Sequence, residues 1–187
     1  MPSPPRLSVL AKICLFLSLI LLPAICSSCR PRSPLSPEAA AFKKDITRVI
    51  SQLQQPLAAA TARRDIAAID KILQTNAATT PGLCIDCPYR SGVLDAAGIL
   101  LTTFPKNRIV GMNFSNYTRL IEAMQRQRIT HRPLFWPDRS KMYFINAPLV
   151  HDRRIVGALV LGLTAADLER KWHLSEEEFL AIDLNTS

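Results

Sequence analysis

The sequence predicts an α+β fold, in which an antiparallel sheet keeps its helices segregated from its strands. Three observations predict it. Between Glu38 and Leu73 apolar residues recur at spacings of three and four, the period of helices. After Gly82 the rhythm changes to short apolar runs punctuated by Gly and Pro, the pattern of strands. Two strand pairs then bracket one helical stretch, so the order reads two helices, hairpin, helix, hairpin, helix.

Size and composition bound the rest. The chain has 187 residues, 48% of them apolar, which suits one compact domain and excludes a wholly disordered chain. Six glycines against 14 prolines argue against a Gly-rich nucleotide-binding architecture. The net charge is +8, but the basic residues are dispersed, and nucleic acid is not an expected partner. There is no Gly-x-Ser-x-Gly elbow and no His-Glu-x-x-His. The three histidines, at 131, 151 and 173, make no metal-ligand spacing. No cofactor is implied, and no enzyme activity is expected.

The first element is a leader. Arg6 and Lys12 precede an apolar run from Ile13 to Leu22, the charged start and short apolar stretch of a secretory signal. A spanning helix needs about 20 apolar residues, and this run is far shorter. Small residues then precede a cysteine in Ile25-Cys26-Ser27-Ser28-Cys29, similar to the lipobox of bacterial lipoproteins. Cys29, after two serines, is the expected lipidation site, with Cys26 as the alternative. An ordinary cleaved signal or an uncleaved anchor are the competing readings. Residues 1–28 are thus read as a lipoprotein signal peptide and 29–37 as a Pro-rich tether, because each proline fixes φ. Arg30 after Cys29 resembles outer-membrane sorting more than inner-membrane retention.

A single domain is expected over 38–183. Ala41, Phe42, Ile46, Val49, Ile50 and Leu53 form the stripe of a first helix, which Pro56 should kink or interrupt. A second helix is expected over Thr61–Leu73. Cys84-Ile-Asp-Cys87-Pro88 follows. Pro88 stands where haem attachment needs His, and zinc would need a second cysteine pair. A disulfide that clamps the loop is favoured over a redox pair, which would require a helix N-terminus. Ser91 to Pro105 reads as strand, turn and strand, with Gly98 in the turn. A helix is expected from about Ser115 to Arg126. Met142–Val150 and Ile155–Leu163 read as two further strands joined by His151-Asp-Arg-Arg154, and Thr164 is placed to cap a short helix, Ala165–Trp172.

Three blocks together resemble the Cache family of extracytoplasmic, PAS-like sensor domains. These are Val93-Leu-Asp95-Ala-Ala-Gly98 followed by Phe104-Pro105; Val110-Gly111-Met-Asn113-Phe-Ser115-Asn-Tyr117; and Ala147-Pro148-Leu-Val150 with Asp152 and Ile155-Val-Gly157. The second block departs from the family's Gly-x-Asp-x-Ser, because Asn113 stands at the Asp. The resemblance implies a sheet of about five antiparallel strands with long N-terminal helices packed on one face. It also implies a small ligand, such as an organic acid, amino acid or amine, held over the sheet by the layer from Asn113 to Ser140 and the next strand. On that basis Tyr117, Arg119, Arg132, Trp136, Tyr143 and Asn146 are the expected ligand-binding residues. Aromatic walls desolvate a ligand, and Arg can pair with a carboxylate. Alternate residues of a strand face opposite ways, so Tyr143 and Asn146 cannot share a face; Tyr143 is preferred over Phe144, read as the better core residue. Because Tyr117 precedes Arg119, an amino acid is no better supported than another small acid.

The expected function is a lipid-anchored protein facing the periplasm, held at the outer membrane, that binds a small molecule and presents it to a separate membrane signalling protein. Two other readings stay open: a thiol-disulfide protein that uses Cys84 and Cys87, and a structural envelope lipoprotein that binds no ligand.

Overall fold

Ser36 begins the first helix of the computed structural model, which describes residues 34–79, 90–135 and 141–185. Apart from Pro34, the described residues belong to the compact unit Leu35–Ser187. The Ser36 hydroxyl accepts from the Ala39 amide at 3.1 Å, Pro37 takes the first helical position, and Glu38 lies in the first turn. All three are start signals of a helix.

Helix α1 runs Pro37–Ala62 without a break, so the expected interruption at Pro56 does not occur. Pro56 lies on the exposed face, where the carbonyl it leaves unbonded meets water. Leu53 and Leu57, on the buried face, hold the helix to the sheet through that turn. The chain reverses at Arg64, whose φ is +54°, and the Asp65 carboxylate accepts from the Ala68 amide at 3.0 Å. Helix α2 is therefore Ile66–Thr79, and Thr61 belongs to α1.

Five antiparallel strands form one sheet, β1 Arg90–Asp95, β2 Leu100–Phe104, β3 Thr130–Phe135, β4 Lys141–His151 and β5 Arg154–Thr164, in the order β2-β1-β5-β4-β3. The β1–β2 turn is built by Asp95, whose carboxylate accepts from the Ala97 and Ile99 amides, both at 2.9 Å. Gly98 takes φ +82° there, and a Cβ on it would come within 3.0 Å of the Ser115 nitrogen. The β4–β5 connection uses Asp152 and Arg153, both at positive φ, the two-residue turn whose twist suits a hairpin. Between the hairpins lies α3, Thr118–Arg126, and after β5 come α4, Ala165–Trp172, and α5, Glu176–Ala181. Thr164 caps α4 and Ser175 caps α5, each reciprocated by a carboxylate three residues on, Asp167 and Glu178.

The two faces of the sheet are unequal. One is covered by α1, α2, α4 and α5, and the larger core lies there, with Phe42, Ile46, Tyr143, Ile145, Leu159, Leu161 and Phe179. Phe179 is its hub, with its ring against those of Phe42, His131 and Tyr143 at 5.6, 5.1 and 5.2 Å. The other face has a smaller cluster, Leu94, Leu100, Phe114, Leu120, Phe144 and Val160, covered by α3 and the segment leading to it. The Asn185 side chain joins the end of the described chain to the start of β3, accepting from the Ile129 amide at 2.8 Å and donating to the Ile129 carbonyl at 2.9 Å. Among the described residues no helix is long and apolar enough to cross a membrane.

Candidate functional site

The thinly covered face of the sheet is where the chain departs from ordinary core packing. The segment before α3 folds back on the first hairpin: Gly111 donates to the Leu100 carbonyl at 2.8 Å, Leu100 to the Met112 carbonyl at 3.0 Å, and Phe114 to the Gly98 carbonyl at 2.8 Å. This return seats Phe114 in the small cluster and delivers Tyr117 to the N-terminus of α3. Tyr117 makes no side-chain cap, and the helix ends at Gln127 in the left-handed region, φ +51°. There the Gln127 and Arg128 amides both donate to the Ala123 carbonyl, which closes the C-terminus, so only the N-terminus of α3 lacks a side-chain cap.

The contacts of α3 with the sheet are polar and specific. The Arg119 guanidinium donates through Nη1 to the Pro133 carbonyl of β3 at 2.8 Å. Glu122 receives Arg132 of β3 at both carboxylate oxygens, 3.3 and 3.4 Å, and Arg126 of its own helix at 3.0 Å. Arg132 also donates through Nη1 to the His131 carbonyl at 3.1 Å. From β4, Asn146 donates through Nδ2 to the Arg119 carbonyl at 3.2 Å.

Beneath α3 lie two buried oxygens without partners. Asn146 is 0% exposed, and its Oδ1 accepts no hydrogen bond among the described residues. Thr130 is 3% exposed, and its Oγ1 makes none either. The two residues are opposite each other across the β3–β4 ladder, so their side chains stand on the same face. An unpartnered buried oxygen costs roughly 1–3 kcal/mol, and two together mark a place where something polar fits.

The sequence-predicted residues divide accordingly. Asn146, Arg119 and Arg132 converge on this face, and both guanidinium groups are already engaged by groups of the protein. Tyr117 stands at its edge, 45% exposed, with its ring 5.4 Å from that of Phe114. Tyr143 does not join them. It is 1% exposed in the larger core on the opposite face, where burial first, then a hydrogen bond to Glu176, raises its phenol above the usual range. The preference for Tyr143 over Phe144 is thus corrected, since Phe144 belongs to the cluster under α3. Trp136, Cys26, Cys29, Cys84 and Cys87 lie outside the described residues. Thr130 is the residue that sequence reasoning missed. Its strand went unrecognised, so nothing placed it opposite Asn146. Among the described residues no group of three or more His, Cys, Asp or Glu could hold a metal ion.

No protein-family model matches the sequence, and no curated protein matches it. Solved structures do. The ligand-binding domain of the Pseudomonas aeruginosa PAO1 amino acid chemoreceptor PctC, in complex with GABA, aligns with a TM-score of 0.52 at 15% identity, over 71% of this chain and 59% of that one. The sensor domain of the V. cholerae histidine kinase DctB aligns with a TM-score of 0.50 at 15% identity, over 88% and 61%. The ligand-binding domain of the Pseudomonas fluorescens chemoreceptor CtaA, in complex with L-isoleucine, gives 0.52 at 15%, over 72% and 55%. This chain therefore spans about three fifths of the length of each neighbour. The shared feature is the fold, the PAS-like architecture of Cache-type sensor domains.

Proposed function

We propose that this domain is a sensor module that binds a small molecule between α3 and the sheet face beneath it, with Asn146 as the central polar contact and Arg119, Arg132 and Tyr117 around it. The observation that carries the reading is the pair of unpartnered buried oxygens on Asn146 and Thr130. Two features support it. Helix α3 meets the sheet through polar groups, Arg119, Glu122 and Asn146, of the kind that can also meet a ligand. The neighbours of the same fold include domains solved with GABA and with L-isoleucine. Trp136 stays in the proposal as an expected ligand contact on the sequence alone.

The remaining parts of the reading rest on the sequence. Cys29, or Cys26, carries the lipid that holds the chain in the envelope facing the periplasm, at the outer membrane. Cys84 and Cys87 form a disulfide. The domain acts as a binding protein with no catalytic step and hands its ligand state to a separate membrane signalling protein.

A thermal-shift screen of the protein against amino acids, carboxylates and amines tests the central statement. A ligand that binds only the folded state adds RT ln(1 + [L]/Kd), about 2.7 kcal/mol at a hundred times Kd. At least one class should raise the midpoint, and the shift should shrink in Asn146→Ala. Silence across all classes would remove the sensor reading.

A further inference from the structure

The two unpartnered oxygens specify more than a polar site. This inference rests on the reading above and concerns the chemistry of the ligand. The Asn146 amide oxygen can only accept, whereas the Thr130 hydroxyl can accept and also has a proton to give. Directly opposite residues in an antiparallel ladder have Cβ atoms about 5 Å apart. At that spacing an oxygen atom seated between two such side chains can reach both with hydrogen bonds. A hydroxyl matches the pair, because it can donate to Asn146 Oδ1 and accept from Thr130 Oγ1. An ammonium can donate to both oxygens but leaves the threonine proton without an acceptor, so the surrounding charge has to decide against it. A methyl leaves both oxygens buried and unsatisfied.

The surrounding charge points the same way. Within α3 and β3 the only carboxylate is Glu122, against Arg119, Arg126 and Arg132. Glu122 is shared between Arg126 and Arg132. The field under the helix is therefore net positive, which opposes a buried cation and favours an anion. Both Arg119 and Arg132 are held by protein acceptors, so the field acts on the ligand without a preformed two-armed clamp.

We propose that the ligand is a small hydroxy-carboxylate whose neutral hydroxyl bridges Asn146 and Thr130 while its acid group lies in the positive field of α3 and β3. Two matched series test this on the full chain, by thermal shift and titration calorimetry. The first is lactate, alanine and propionate, which differ only in the substituent at one carbon; the second is malate, aspartate and succinate. The hydroxy acid of at least one series should bind ten or more times tighter than its amino and unsubstituted analogues. A site built to bond a hydroxyl discriminates strongly against a ligand that lacks one. Thr130→Val, which keeps the shape of the side chain, should reduce that ratio towards one by weakening only the hydroxy acid, and Thr130→Ser should retain it. If the amino or unsubstituted acid binds as tightly as the hydroxy acid, the hydroxyl assignment falls while the sensor reading stands. A ratio unmoved by Thr130→Val also overturns it, and would assign the two oxygens to a buried water. If none of the six acids binds and the broader screen is silent too, both readings fall.

Discussion

Replacing Asn146 by Leu should stabilise the protein in the absence of ligand. Leucine has the same branching as asparagine, so the change exchanges polar for apolar atoms in nearly the same outline. Two terms decide the sign. Removing the unpartnered Oδ1 recovers roughly 1–3 kcal/mol of desolvation, and losing the Nδ2 bond to the Arg119 carbonyl costs about 1 kcal/mol. The net expectation is a gain of about 1 kcal/mol, which raises the melting midpoint of a domain this size by about 2–4 °C. Urea unfolding followed by tryptophan fluorescence, to which the buried Trp172 contributes, reads it. The same variant should lose its response to any ligand that stabilises the wild type, so stability and binding move in opposite directions. A loss of more than 1 kcal/mol in Asn146→Leu would refute the reasoning, because it would mean that Oδ1 is satisfied in the free protein.

Three further changes probe the frame around the site. Gly157→Ala would place a Cβ 2.0 Å from the Leu94 carbonyl oxygen, a backbone atom that no rotamer change can move aside. It should cost about 3 kcal/mol, measured as a fall in the urea midpoint. Asp95→Ala removes the acceptor of the Ala97 and Ile99 amides and should cost about 2 kcal/mol, with Asp95→Asn recovering part of it. Burial first, and the charge on Arg132, hold the His131 imidazole below its usual value, while its Nε2 contact with the Leu180 carbonyl at 3.3 Å works the other way. The unfolded chain then binds the proton more readily, so stability is complete above about pH 6.5 and falls as pH drops through the lower folded value. His131→Gln should flatten that part of a stability–pH curve measured between pH 5 and 8; an unchanged slope would assign it to another group.

Much of the frame was legible because its signals are local. The α1 stripe, the Gly98 turn, the His151–Arg154 hairpin and the Thr164 cap depend on neighbours a few residues away. Strand β3 was not legible. Thr130-His-Arg-Pro-Leu-Phe shows no clean alternation and contains a proline, which a strand accepts only at a sheet edge, and edge position is a property of the assembled fold. Helix α5 had its signature in Ser175-x-x-Glu178, a capping box before Phe179, and needed only to be read. The choice between Tyr143 and Phe144 failed for a different reason. Both faces of this sheet are covered, so alternate residues are apolar on each, and the sequence carries no mark of which face meets α3. The candidate site was partly visible, in that Asn146, Arg119 and Arg132 do converge. That Glu122 occupies Arg132 is a tertiary fact, ten residues apart in sequence and spanning a helix and a strand.

The guanidinium contacts with β3 have a consequence beyond ligand chemistry. A strand at the margin of a sheet offers a row of amides and carbonyls to which a second chain can zip. In β3 the middle of that row is closed off. Pro133 has no N–H to give, and the carbonyls of His131 and Pro133, two residues apart and so directed to the same side, each accept from an arginine. Whatever else Arg119 and Arg132 do, they deny this margin to a stray strand. A substitution at either should be watched for fibre formation as well as for weakened binding.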